Sequence, residues 1–230
     1  MSNINFRVFK NPVKINLDRI KDLAKYPVPN IADSMNRLGC LNSNIRLMNS
    51  KTNIKLYGRA ITVKTRATDN LMVHKALDVA QKGDVIVVDA QGETNTAIIG
   101  EIMCKIAKNN GVKGFIIDGL IRDKEYINEL EDFFVYARGF SPHGPYKDGP
   151  GELNSTISCG GVVVNSGDII IGDDNGVIVI NPKDLDELIN KTKERNKLEQ
   201  EKFKKIKNKN LDRSWVDKTL KEKGCEFAER

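Results

Sequence analysis

Two short apolar runs bracket a helical stretch near the middle of the chain. Val85, Ile86, Val87 and Val88 are consecutive, Ile102, Met103, Ile106 and Ala107 share one face at helical spacing, and Phe115, Ile116 and Ile117 are consecutive again. Unbroken apolar runs of this length suit buried strands, so the segment reads as strand, helix, strand. Asn109-Asn110-Gly111 supplies the helix stop, and the length suits a right-handed βαβ crossover. Upstream, Leu56 to Thr65 alternates and is rich in β-branched residues, which predicts a strand, and Leu71 to Gln81 carries apolar residues at helical spacing. Downstream strands are predicted at Phe133 to Ala137, Gly161 to Asn165, Asp168 to Ile171 and Val177 to Ile180. Ser166-Gly167 and Asp173-Asp174-Asn175-Gly176 are the turns between the last three.

Residues 17–39 read as two helical pieces split by Tyr26-Pro27-Val28-Pro29, because proline disfavours helix in the residue before it. Asn30 is the predicted N-cap of the second piece and Gly39 its end. Gly83-Asp84-Val85-Ile86-Val87-Val88-Asp89 is echoed by Gly167-Asp168-Ile169-Ile170-Ile171-Gly172-Asp173, which predicts two similar turn-strand units. Beyond Asn181-Pro182 the pattern changes to a long polar helix with a thin apolar stripe of Leu185, Leu188, Ile189, Thr192, Leu198 and Phe203. Such a stripe predicts docking on another surface. The expected organisation is an α/β domain over residues 1–181 and a C-terminal helical extension over residues 182–230.

Composition narrows the function classes. With 230 residues, 40% hydrophobic and 30% charged, the chain can bury a core without staples. Cys40, Cys104, Cys159 and Cys225 are far apart and form no C-x-x-C pair, so reduced thiols are expected rather than a zinc ribbon or a disulfide framework. The first residues lack the apolar core of a signal peptide, and no stretch approaches the ~18 apolar residues of a membrane helix, so a cytoplasmic protein is expected. The net charge of +6 sits mostly in residues 182–230, where 15 Lys/Arg face 11 Asp/Glu. Mixed signs argue for a solvated helix rather than a nucleic-acid surface.

Candidate chemistry collects at two places. Gly100-Glu101-Ile102-Met103 enters the helix that ends near Asn109, where glycine permits close backbone approach and the first N–H groups lack helical partners. The corner can hold a carboxylate, although a lone glycine at a helix start is common. Asp118-Gly119-Leu120-Ile121-Arg122-Asp123 follows Phe115 to Ile117 and so brings charges to the carboxyl end of a predicted parallel strand, where ligands of open α/β sheets gather. Arg122 offers a planar fork for a carboxylate or a developing enolate, and Asp123 offers hard oxygen to Mg²⁺ or Mn²⁺. The same two residues serve equally well as a cap on the helix that follows. His74 and His143 lie in no metal-ligand spacing, which argues against zinc and assigns both to structural or surface roles. No nucleotide-phosphate loop is present, and neither Lys113 nor Lys124 has the apolar surroundings of a Schiff-base lysine.

The order of these segments carries a resemblance. Asn30-Ile31-Ala32-Asp33-Ser34 to Gly39, Gly58-Arg59-Ala60-Ile61-Thr62-Val63, Gly83 to Asp89, Gly100-Glu101, Gly111 to Asp123, Gly160 to Asp168 and Asp173 to Val179 together resemble the RraA-like family. That family includes 4-hydroxy-4-methyl-2-oxoglutarate aldolases with oxaloacetate decarboxylase activity, and the regulator of ribonuclease activity A. The aldolase mark of an acidic residue, twenty residues and Arg-Asp corresponds to Glu101, Arg122 and Asp123. The resemblance implies a β-rich swivelling-domain fold, a β/β/α sandwich, assembled as a homotrimer or homohexamer with its site at a subunit interface. It implies that the backbone of Gly100, Glu101, Ile102 and Met103 binds a substrate carboxylate, that Asp123 holds a divalent cation, Mg²⁺ or Mn²⁺, and that Arg122 contacts the keto oxygen. It also implies that the C-terminal extension lends an acid to a neighbour's site, with Glu201 the candidate and Glu199 behind it, although the Lys- and Asn-rich sequence there departs from the family pattern.

The implied activity is a metal-dependent lyase that releases pyruvate from 4-hydroxy-4-methyl-2-oxoglutarate or a related 4-hydroxy-2-oxo acid through an enolate, and that decarboxylates oxaloacetate. Arg122, Glu101 and Glu201 are its expected catalytic residues, a small 2-oxo acid its expected substrate, and neither nucleic acid nor membrane an expected partner. The groups that read the far end of the substrate fall on loops such as Ser141 to Leu153, which carry no motif. The alternative is a non-catalytic protein that binds and inhibits an endoribonuclease. A methyltransferase is disfavoured because no glycine-rich loop for a nucleoside cofactor is present.

Overall fold

The computed structural model describes residues 3–10, 12, 15–50 and 55–228. Its contacts divide the chain into two compact units, Met1–Thr192 and Lys193–Arg230. In chain order the first unit contains β1 (Phe6–Val8), α1 (Leu17–Ala24), α2 (Val28–Ser34), β2 (Arg46–Leu47), β3 (Leu56–Thr65), α3 (Leu71–Val79) and β4 (Asp84–Asp89). There follow β5 (Ala97–Ile99), α4 (Glu101–Asn109), β6 (Gly114–Ile117), β7 (Leu120–Ile121), α5 (Lys124–Asn128), β8 (Phe134–Ala137) and β9 (Gly139–Phe140). The last strands are β10 (Gly151–Leu153), β11 (Ile157–Cys159), β12 (Val162–Val164), β13 (Ile169–Asp173) and β14 (Gly176–Ile180), and α6 (Leu185–Lys207) then carries the chain out of this unit.

Among the described residues nine strands form one sheet, with β3, β4, β6 and β8 side by side and parallel. Each of these strands is apolar on both faces because both faces are covered. Ile86 and Val88 point into a core shared with α3 and α4, while Val85 and Val87 point into a second core closed by the β11–β12 hairpin. Phe115 and Ile117 divide from Ile116 in the same way, as Val135 and Ala137 do from Phe134 and Tyr136. The period of two therefore hides inside an unbroken apolar run, and each fully buried Val, Ile or Phe contributes about 1.5–3 kcal/mol of burial. The result is a β/β/α sandwich, as the resemblance implied. A third core joins α1, α2, β13 and β14 to Leu185 and Leu188 of α6.

The echoed segments flank β3 on opposite edges. Arg59 of β3 is paired in register with Asp84 of β4 on one side and with Ile169 of β13 on the other. Both units turn on a left-handed glycine, Gly83 at φ +91° and Gly167 at φ +99°. The aspartate after each glycine closes its turn in the same way: Asp84 accepts from the Gln81 amide and Asp168 from the Asn165 amide, both at 2.8 Å.

Three expectations are corrected. The second N-terminal helix starts earlier than predicted, with Pro27 as its N-cap and Asn30 inside it and buried. Pro29 is tolerated there because the first helical N–H groups have no partner to lose. That helix ends at Ser34, and Gly39 at φ +83° lies beyond it. The C-terminal helix is also not continuous. It stops at Lys207, where Lys209 takes a left-handed conformation and the Asn210 amide bonds back to Lys205, and α7 (Trp215–Glu222) follows. In the predicted stripe Leu185, Leu188 and Thr192 are buried, whereas Leu198 and Phe203 are exposed. Among the described residues no helix is long and apolar enough to cross a membrane.

Candidate active site

Arg122 does not extend a strand of the main sheet, as its position after Phe115 to Ile117 suggested. The chain leaves β6 at Asp118 and enters a second, three-stranded parallel sheet in which β7 lies between β5 and β9. In that sheet Ile99 pairs with Ile121, so Gly100 and Arg122 emerge side by side at the carboxyl ends of neighbouring strands. The Arg122 amide donates to the Ile99 carbonyl at 3.0 Å, which ties the two exits together.

Gly100 is required by what crosses it. A Cβ there would sit 2.3 Å from Asp123 Oδ2 and 2.8 Å from Arg122 Cγ, so no side chain fits without displacing the pair. Asp123 itself is left-handed, φ +62° and ψ +52°, a strained state that Asp tolerates better than most residues. The turn swings its carboxylate back across Gly100, where Oδ2 accepts the Glu101 amide at 2.8 Å. Asp123 thus caps α4 rather than the helix it precedes. Gly100→Ala is expected to break this bond and to cost about 1 kcal/mol of stability, as other lost N-caps do. A urea melt that does not move would contradict the close approach.

With the Glu101 amide engaged, Ile102 and Met103 remain as the first-turn amides of α4, since the Cys104 amide already bonds to the Gly100 carbonyl. They face the positive end of the helix dipole. The Glu101 carboxylate turns along the helix to Lys105 at 2.5 Å, and the Lys105 ammonium lies 5.1 Å from the Tyr126 ring centre. Arg122 is part-exposed, with Nε 3.8 Å from Asp123 Oδ2. Its guanidinium runs along a backbone as bare as that at Gly100, since a Cβ on Gly144 would come within 3.0 Å of Nη1. Beneath the carboxylates, burial and then the charges of Asp123 and Glu101 push the Cys104 thiol up to about 12, so it stays protonated and is no nucleophile at neutral pH.

Beside this corner opens a cavity of about 140 Å³ lined by Gly100, Ile102, Met103 and Arg122 together with Asn70, His74, Ile98, Ile99, Pro145 and Lys147. The sequence does not mark Asn70, His74 or Lys147 as site residues. His74 reads as structural or superficial, Lys147 falls on a loop without a motif, and only the fold brings the start of α3 against that loop. The carboxylate that holds them together is Asp69, fully buried, which accepts from Leu71 at the start of α3 and from the amides of Asp148 and Gly149. The Asn70 amide donates to the Tyr146 carbonyl, and the Tyr146 amide to that of Thr68, so the roof loop is stitched to the floor of the cavity.

Among the described residues no three His, Cys, Asp or Glu side chains form a metal cluster. Asp123 is part-exposed and its carboxylate bonds to one amide. A single hard carboxylate fits a cation such as Mg²⁺ or Mn²⁺ that keeps most of its waters, and does not fit zinc. Glu201 belongs to the second unit, on an exposed part of α6.

The RraA-like family model, described as aldolase/RraA, matches residues 28–179. The chain belongs to the RraA-like family. The match runs from α2 to β14 and includes every residue of the corner and the cavity. A protein of Halalkalibacterium halodurans provisionally named 4-hydroxy-4-methyl-2-oxoglutarate aldolase is 40% identical over 171 residues, which is 74% of this chain and 80% of that one. Among solved structures, an uncharacterized protein from Pseudomonas syringae shares the fold at a TM-score of 0.74 and 20% identity, covering 86% of this chain and 96% of that one. The RNA-processing inhibitor RraA from Thermus thermophilus shares it at 0.61 and 24%, covering 67% and 92%. The RraA-like fold therefore accommodates proteins described in different functional terms, and the chemistry has to be argued from the corner itself.

Proposed function

We propose that the chain is a divalent-metal-dependent carbon–carbon lyase that releases pyruvate from a 4-hydroxy-2-oxo acid, 4-hydroxy-4-methyl-2-oxoglutarate or a close relative, and that it decarboxylates oxaloacetate at the same site. The observation that carries this proposal is the packing of Arg122 and Asp123 across Gly100 at the start of α4, which brings a permanent cation and helix amides to one small cavity and a part-exposed carboxylate beside them. The provisional aldolase name of the H. halodurans relative supports it.

Both reactions leave the enolate of pyruvate, so the site must hold that negative charge more tightly than it holds the ketone. The amides of Ile102 and Met103, at the positive end of α4, bind the carboxylate next to the keto group. Arg122 sets its fork beside the keto oxygen, where charge develops as the C–C bond breaks. Lys147, on the roof loop, faces the far carboxylate of a dicarboxylic substrate. Asp123 would hold the divalent cation, which supplies an electron sink so that no Schiff-base lysine is needed. Glu101, turned toward Lys105, serves the site through its backbone position more than through its carboxylate. In a homotrimer or homohexamer the exposed apolar residues Leu198, Phe203 and Trp215 would be covered by a neighbour, and Glu201 of that extension would handle a proton through water.

The test is pyruvate formation from oxaloacetate and from 4-hydroxy-4-methyl-2-oxoglutarate with Mg²⁺ or Mn²⁺, measured against the metal alone. Pyruvate release above that background is expected, falling at least about tenfold with excess EDTA. Undiminished release in EDTA would remove the metal from the mechanism. No release from either acid would favour the protein-binding alternative.

A further inference from the structure

We infer that Asn70 and His74 are specificity-determining residues that read a hydroxyl group, so that the cavity prefers a hydroxylated acid over one lacking that group. This rests on the lyase assignment for the identity of the reaction, but not for the binding preference itself.

Asn70 precedes α3 and His74 lies one turn into it, so the two side chains neighbour each other on one face. Asn70 is only 3% exposed. Its Nδ2 donates to the Ile98 carbonyl at 2.8 Å and lies 3.4 Å from Met103 Sδ, which fixes the amide and leaves Oδ1 turned away from those partners. Among the described residues neither Asn70 Oδ1 nor His74 Nε2 has a hydrogen-bond partner, although both atoms are buried. Buried polar atoms are nearly always satisfied, and here two exceptions belong to residues that line the same cavity. The occupant of the cavity is the natural partner.

The chemistry of that occupant follows from the atoms. Asn70 Oδ1 accepts only, so it requires an O–H or N–H donor. Burial, and then the nearby Lys147 charge, hold the His74 imidazole below its usual range against the opposing pull of Asp78, so His74 is neutral and can pair with a hydroxyl in either direction. A ketone, a methylene or an ionised carboxylate offers Asn70 nothing. A hydroxyl on the carbon chain between the two acidic ends satisfies both residues, and Ile98, Ile102 and Pro145 enclose the rest of that chain. The 4-hydroxyl of an aldol substrate meets this requirement, whereas keto oxaloacetate has no such group.

The experiment compares full-length wild type, His74→Phe and Asn70→Leu by two readouts, with circular dichroism and melting temperature as the folding check. Calorimetry measures Kd for malate and succinate, which differ by one hydroxyl, and kinetics measures kcat/KM for 4-hydroxy-4-methyl-2-oxoglutarate and for oxaloacetate. Wild type is expected to prefer malate by about tenfold or more, and His74→Phe to erase the preference. In the same variant kcat/KM for the hydroxy acid should fall about tenfold or more, with oxaloacetate within about twofold. Equal affinity of wild type for malate and succinate, or a parallel loss on both substrates, would overturn the inference. Should Asn70→Leu not fold, the His74→Phe results decide alone. An inactive wild type that still prefers malate through His74 would defeat the lyase assignment and uphold this one.

Discussion

Arg122→Ala is expected to lower kcat for pyruvate release from oxaloacetate by about 10²- to 10³-fold, the size of effect seen when one donor to a developing oxyanion is removed. The loss should fall on kcat, because the guanidinium is assigned to charge that exists only as the bond breaks. Stability should hardly respond. Arg122 is part-exposed, its approach to Asp123 is a loose 3.8 Å, and Asp123 keeps the Glu101 amide when the arginine goes. The melting temperature should therefore stay within about 2 °C of wild type. Arg122→Lys restores the charge but not the planar fork and should recover only part of the rate. A rise in KM at unchanged kcat would reassign Arg122 to simple carboxylate binding.

Arg59→Ala is expected to have the opposite profile, a large loss of stability from a residue outside the corner. Arg59 and Asp84 are both almost fully buried and meet in a two-pronged pair, Nε to Oδ1 and Nη2 to Oδ2, each at 2.9 Å. Nη1 also donates to the Pro12 carbonyl at 2.8 Å. Removing the arginine strands a buried carboxylate, which costs about 3–5 kcal/mol. That should lower the melting temperature by roughly 10 °C or more. The pair itself is not worth that much, since both charges lost their hydration on folding. Arg59→Met with Asp84→Leu should recover most of the loss, and urea melts of the two variants would check it. If the double variant is no more stable than the single one, the pair holds the register of β3 against β4 and β13 in a way that apolar packing cannot replace.

Much of the fold was legible because burial imposes pattern. The parallel strands β3, β4, β6 and β8 and the helices α3 and α4 all fell where alternation, apolar runs or helical spacing placed them. The echoed Gly-Asp segments were legible as turns because each needs a left-handed glycine and a carboxylate three residues after the amide it holds. What escaped was short or assembled at a distance. β5, β7 and β9 have three residues or fewer, too few to show a period, so the sheet that carries Gly100 and Arg122 could not be told from the main one. Asn70 and His74 were invisible as site residues because their partners in the cavity are Ile98, Met103 and Lys147, and no local pattern records such a meeting. The Arg-Asp pair was equally readable as a site or a cap, and the structure shows Asp123 capping a helix, though it is α4 rather than α5.

Asp69 has a consequence beyond fastening one loop. Because its carboxylate grips both the start of α3 and the backbone at Asp148 and Gly149, the two rims of the cavity are joined by groups buried within the protein. The frame of the opening is thus set when the chain folds, and changing what the cavity admits means altering the side chains that line it rather than loosening that frame.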